Sequence, residues 1–292
     1  MHPVRLPPTD WAAREVAHLA RVEELVAGHE ARRRGAVEHP VEDFLFVYYS
    51  NPPGKLRRWH PGPGIVLEDA GRMPRASWRH YVTDCCGGVA LDVDHFAAER
   101  GSTVAFVRSL LAATVGRAPH TGCFGLHEWA MVYRSQEVRH TAYRLRLSPA
   151  ETDEVVDVHQ IRCTHYDAFR FFTPAASPRN ALQPNRDSQV QLEQPGCLHA
   201  GMDVYKWCFK LAPLVPGELT LDAFDLARGL RTLDMRASPY DLRDLGYEPI
   251  PIETAAGKAA YVSAQRAFAE RSNALRLRLL DVLDTIARPA VR

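Results

Sequence analysis

Residues 198–236 read LHAGMDVYKWCFKLAPLVPGELTLDAFDLARGLRTLDMR and hold two consecutive helical patterns. The first, LHAGMDVYKWCFKL, keeps helical spacing up to Pro213, whose ring and missing N–H end the run. The second, LTLDAFDLARGLRTLDMR, is helical up to the turn made by SPYDL. Downstream, Lys258 to Ala287 reads as a last long helix. Upstream, Val16, Leu19, Val22, Leu25 and Val26 recur at three and four, which predicts a helix over 11–34. Thr9 or Asp10 serves as its cap, and Arg32, Arg33 and Arg34 lie where cations suit the helix dipole.

Between these landmarks the pattern is weaker. HPVEDFLFVYYSNPP (39–53) carries Pro40 in a first-turn position and an aromatic run too apolar for a surface helix. Short strands are expected at 64–67 and 88–91, and another at 140–147. A helix is expected from Asp92 or Asp94 through HFAAERGSTVAFVRSLLAATVG, either continuous or divided at Gly101 and Ser102. In GCFGLHEWAMVYR, Leu126, Trp129, Ala130 and Tyr133 form one helical face, whereas 155–162 fits helix and strand equally. Residues 173–195 are rich in Pro and Asn, the mark of a long ordered excursion. The expected fold is mainly α with a few short β-strands, in one compact helical domain over 1–292, with a subdivision near 174–195 as the alternative.

At 292 residues, with 46% hydrophobic and 24% charged, the chain can bury a sizeable core and is not globally disordered. Lys plus Arg is 36 against 35 Asp plus Glu, so no strong overall field draws in nucleic acid or an anionic membrane. A nucleic-acid partner would have to be met by a local patch. The N-terminus lacks an apolar signal core and no stretch approaches the ~18 apolar residues of a membrane span, which predicts a cytoplasmic protein without membrane contact. Cys85, Cys86, Cys123, Cys163, Cys197 and Cys208 show no CxxC spacing and read as reduced, buried thiols.

Three segments gather ionisable groups among aromatics. In LHEWAMVYR, His127 and Glu128 are neighbours and diverge by about 100° on a helix. In CTHYDAFRFF, His165 and Asp167 share a face if the segment is extended. In CLHAGMDVYKW, His199 and Asp203 stack on one helical face. His165, Asp167, His199 and Asp203 together offer the ligand types of a non-haem iron or catalytic zinc site, so the expected cofactor is a divalent metal, iron or zinc. Each pair also has a structural use, a buried His whose tautomer a carboxylate fixes. A second set suits carboxylate chemistry on a nucleobase: Tyr48, Tyr49, Trp59, Trp129 and Tyr205 for stacking, and Glu128, Asp167 or Asp203 as the carboxylate. Those aromatics serve equally as core filling. Asp234, Arg236 and Tyr240 resemble an ion-paired helix end, and Arg236 alternatively receives an anion. No dinucleotide fingerprint, P-loop or serine-hydrolase elbow is present.

Across HPVEDFLFVYYSNPPGKLRRWHPGPG, GCFGLHEWAMVYR, HYDAFRFFTPAA, LEQPGCLHAGMDVYKW and LDMRASPYDL, the sequence resembles a bacterial family, common in actinobacteria, whose members carry the label 3-methyladenine DNA glycosylase. The resemblance spans almost the whole chain. It implies a DNA-repair hydrolase that cuts the N-glycosidic bond of an alkylated purine, with modest acid catalysis and an electron-rich stacking pocket. DNA would meet Arg32, Arg33 and Arg34, or Arg57 and Arg58. The helix-hairpin-helix pattern of the best-known alkyl-base glycosylases is absent, and no catalytic residue is carried over. The alternative is a metal-dependent enzyme acting on a small molecule through the His/Asp set.

Overall fold

Pro8 opens the first helix, α1 (Pro8–Arg34), because its fixed φ suits the helix and its missing N–H costs nothing there. Pro7 is therefore the cap, with no side-chain hydrogen bond, in place of Thr9 or Asp10. The computed structural model describes residues 3–135 and 142–287. It is mainly α with one four-stranded sheet. Two compact units are distinguished: one takes the described residues through Leu111 with Val204–Asp225 and those from Leu275 on, the other Ala112–Asp203 and Leu226–Ala274. The excursion near 174–195 lies wholly inside the second unit.

The first unit holds the sheet, formed by β1 (Val4–Leu6), β2 (Ile65–Leu67), β3 (Tyr81–Thr83) and β4 (Val89–Leu91) in the order β1-β2-β4-β3. β1 runs parallel to β2, pairing Val4 with Ile65, while β4 is antiparallel to both β2 and β3. Trp11, Trp59, Leu67, Ala70, Tyr81 and Val89 form its core. Complete burial of a side chain such as Leu67 stabilises by about 2 kcal/mol. The aromatic run supplies only the short α2 (Phe44–Tyr48), followed by α3 (Pro53–Leu56). α4 (Val93–Val115) starts where Asp92 Oδ1 accepts from the His95 amide, and it runs unbroken through Gly101 and Ser102.

In the second unit, α5 (Leu126–Ala130) is shorter than its apolar spacing suggests, yet Leu126, Trp129, Ala130 and Tyr133 are all buried as expected. α6 (Pro149–Asp157) begins with a Ser148/Glu151 capping box, which settles 155–157 as helix; Ile161 then makes only an isolated bridge to Asn180. Of the strand expected at 140–147, residues 140 and 141 lie outside the described residues, and Leu145 makes an isolated bridge to Tyr240. α7 (Tyr166–Phe169) and α8 (Gln189–Leu192) are single turns. α9 (Leu198–Lys210), α10 (Gly217–Arg236) and α11 (Ala255–Ala287) match the three helices read from the sequence and give residues to both units. No helix among the described residues is long and apolar enough to cross a membrane.

Candidate metal centre

The second unit brings three imidazoles and three carboxylates together in its interior. His127 lies on α5, which begins after Gly125 in the left-handed region at φ 74°. A Cβ there would meet Ala237 Cβ at 3.2 Å, so glycine is needed for both the turn and the close approach. α9 carries His199 and Asp203, with Gly201 between them. A Cβ on Gly201 would fall 2.8 Å from Leu230 and 2.9 Å from Ser272 Oγ, so this glycine lets α9 lie tightly against α10 and α11.

His127, His199 and Asp234 form the first triad, each offering a ligand atom within 4.8 Å of the others. His127 and Asp234 are 3% and 0% exposed. His127 Nε2 stands 2.8 Å from Asp234 Oδ1, yet neither atom has a hydrogen-bond partner. At that separation they pair as ions, although the ring N–H is not well aimed at the oxygen. Two ligands on one octahedral ion at about 2.1 Å would be about 3 Å apart, close to this separation. The His199 ring lies 4.4 Å from that of His127 at 80°. On the other side of Asp234, Oδ2 accepts from Arg231 Nη1 at 3.1 Å, and the same nitrogen donates to Glu128 Oε1 at 3.0 Å. The guanidinium thereby orients Asp234. His127 Nδ1 faces Cys123 Sγ at 3.8 Å, which leaves Nε2 as the nitrogen turned to the carboxylate.

Burial pushes His199 well below the ordinary histidine value, and neighbouring His127 reinforces this, so His199 is a neutral imidazole with a lone pair to give. For His127 burial acts in the same direction, but Asp234 outweighs it and holds the ring protonated well above its usual range. Burial alone would raise Asp234; His127, with His199 and Arg231, overcomes it and keeps the carboxyl below the usual carboxylate range. A metal cation at this point would replace the His127 proton as the charge that Asp234 faces.

His165, Glu193 and Asp203 form a second triad. His165 caps α7, its Nδ1 accepting from the Ala168 amide at 3.2 Å. That bond fixes the tautomer, so Nε2 carries the hydrogen and donates to Asp203 Oδ2 at 3.2 Å, with Glu193 Oε1 at 3.6 Å. Gln189 Nε2 donates to Glu193 Oε1 at 2.6 Å. The second triad is thus a hydrogen-bonded network, and its imidazole stacks on that of His199 at 5.4 Å. The His165 and His199 rings lie side by side, but His199 and Asp203, on one face of α9, serve different triads.

Other expected site residues lie elsewhere. Asp167 sits in α7, not in an extended segment; helical rotation turns it from His165, and Arg170 pairs with it at 3.4 Å. Glu128 is held by Arg231. Trp59, Trp129 and Tyr205 are fully buried. Trp59 Nε1 donates to Glu218, Trp129 Nε1 donates to the Ala237 carbonyl, and the Tyr205 hydroxyl accepts from Asn51. Tyr48 stacks on Phe44, and Tyr49 packs edge-on against Tyr205. Tyr49, Trp59, Trp129 and Tyr205 fill cores, whereas Tyr48 is partly exposed. Arg236 donates to the Glu248 carbonyl at 2.7 Å rather than standing ready for an anion. In the proposed Arg patch, Arg57 is tied to Glu23 and Glu30, Arg32 to Asp43, and Arg58 lies over Trp78. All six cysteines are free, but Cys85 and Cys86 are exposed, because they occupy the turn between β3 and β4.

Sequence spacing missed His127 with Asp234 and also missed Glu193. The one local signal was Arg231 three residues before Asp234 on an otherwise apolar face, a charged pair at helical contact distance. No protein-family model matches the chain, and no curated protein or solved structure matches it.

Proposed function

We propose that this chain is a metal-dependent enzyme acting on a small molecule, with a divalent transition-metal ion held by His127, His199 and Asp234. The observation that carries this is the fully buried pair His127 Nε2 and Asp234 Oδ1, 2.8 Å apart without a well-aimed hydrogen bond, with the neutral His199 ring beside them. Buried polar atoms almost always make well-directed hydrogen bonds, so a buried ion pair without one has ligand atoms free to turn to a shared cation. Two imidazoles and one carboxylate suit iron(II) or zinc and leave coordination positions open. Such an ion activates a bound water or polarises a substrate oxygen. Arg231 orients the carboxylate, and the His165 network backs the His199 ring.

Cleavage of a base from DNA requires an accessible stacking surface and an unencumbered carboxylate. Here Trp59, Trp129 and Tyr205 are packed away and Glu128 is bound to Arg231, so the geometry favours the metal reading. The test is metal content after anaerobic expression with iron and zinc supplied, comparing wild type with His199→Gln. The wild type is expected to carry one ion per chain more than the variant; equal amounts in both would overturn the proposal. Base release from methylated DNA is the companion assay, and release that survives His199→Gln would move the function to the glycosidic bond.

A further inference from the structure

A separate group of metal-type side chains lies in the first unit. His95 and Glu99 are four residues apart on α4 and therefore project from one face. His80 joins them from the residue preceding β3. His95 Nε2 is 3.2 Å from Glu99 Oε1, His80 Nε2 is 3.4 Å from Glu99 Oε2, and all three offer ligand atoms within 4.8 Å of one another. Ligands on one tetrahedral zinc at about 2.1 Å are about 3.4 Å apart, so little movement is needed to close them on an ion.

His80 is the fixed member. Its backbone sits in the left-handed region at φ 66°, which is uncommon for a residue with a side chain. Its carbonyl accepts from the Asp92 amide at 2.8 Å, and its buried ring packs edge-on against Phe96 and His95. The turn therefore directs an immobilised imidazole at the His/Glu pair of α4. His95 and Glu99 are solvent-exposed, so an ion could enter without unfolding and keep water in its remaining positions.

We propose that His80, His95 and Glu99 form a second, surface site for a divalent transition-metal ion of the zinc class, independent of the buried centre. Two imidazoles with a single carboxylate select zinc, nickel or copper over magnesium or calcium, which demand oxygen ligands. Arg79 is the built-in competitor: Nη2 donates to Glu99 Oε2 at 2.6 Å, but its side chain is 73% exposed and swings into water when an ion takes the carboxylate.

The test is equilibrium dialysis of the metal-stripped full chain against Zn2+, in wild type, His95→Ala, Glu99→Gln and Arg79→Ala. His95 is exposed, so its removal leaves the fold intact, checked by far-UV circular dichroism. The wild type is expected to bind one more ion than His95→Ala, and Glu99→Gln to weaken that ion by at least about tenfold. Arg79→Ala should bind it as tightly or more tightly. The site is read as a difference, so if the buried centre holds nothing the counts fall from one to zero instead of two to one. Equal stoichiometry and affinity in wild type and His95→Ala, retention in Glu99→Gln, or weaker binding in Arg79→Ala would each overturn the assignment.

Discussion

Asp234 answers two cations from opposite oxygens, Arg231 at Oδ2 and His127 at Oδ1, and this sets what its loss should do. Asp234→Asn removes the ligand charge and one of the carboxylates that face the buried Arg231, so it should cost about 3 kcal/mol in denaturant unfolding besides abolishing metal binding. His199 is neutral in the metal-free chain, and His199→Gln strands no charge. It should lose the metal while shifting the metal-free unfolding free energy by only about 1 kcal/mol. Equal stability losses in the two metal-free variants would contradict these separate roles. His199 and His165 stood out in the sequence because each lies in a short cluster of ionisable groups. Asp234 read only as part of an ion-paired helix end and Glu193 did not stand out, because their partners here are brought to them by packing between elements far apart in the chain.

At the level of elements, the approach of α9 to α10 and α11 depends on Gly201. Gly201→Ala places a methyl 2.8 Å from Leu230 and should cost about 1–3 kcal/mol by overpacking, with metal affinity falling because His199 moves with α9. Unchanged affinity and stability would show that the helices have slack. In the first unit, the last turns of α1 are fastened to the residue before α2: Arg32 and His29 both bond Asp43. Burial opposes ionisation of Asp43, but Arg32 and His29 prevail and hold the carboxyl below its ordinary range. A depressed carboxyl contributes stability that is complete above its unfolded value of about 3.9 and is lost as pH falls through the lower folded value. Wild type should thus lose stability relative to Asp43→Asn on acidification below about pH 4. Parallel pH profiles for the two would exclude this fastening as a source of acid sensitivity.

Across the whole molecule, the long helices were legible because apolar residues recurring at three and four suffice to mark them, as in α1, α9 and α10. α7 was not, since a single turn has no period; it forms because His165 caps it, and that turn separates Asp167 from the site. Of the continuous and divided readings at Gly101 and Ser102 the continuous one holds, because tertiary contact along α4, where Phe96, Val104, Val107 and Leu110 are buried, outweighs the propensity of one glycine. The near-zero net charge agrees with a small-molecule centre, and the ion-paired Arg32 and Arg57 leave less free positive surface than the sequence suggested. The most direct measurement of the central claim is an anomalous difference map, at the iron and zinc edges, from crystals grown of metal-replete protein. A peak is expected about 2.0–2.2 Å from His127 Nε2 and from an Asp234 oxygen, with His199 as the third ligand. Absence of that peak, or a peak seated on Glu193 and Asp203 instead, would contradict it.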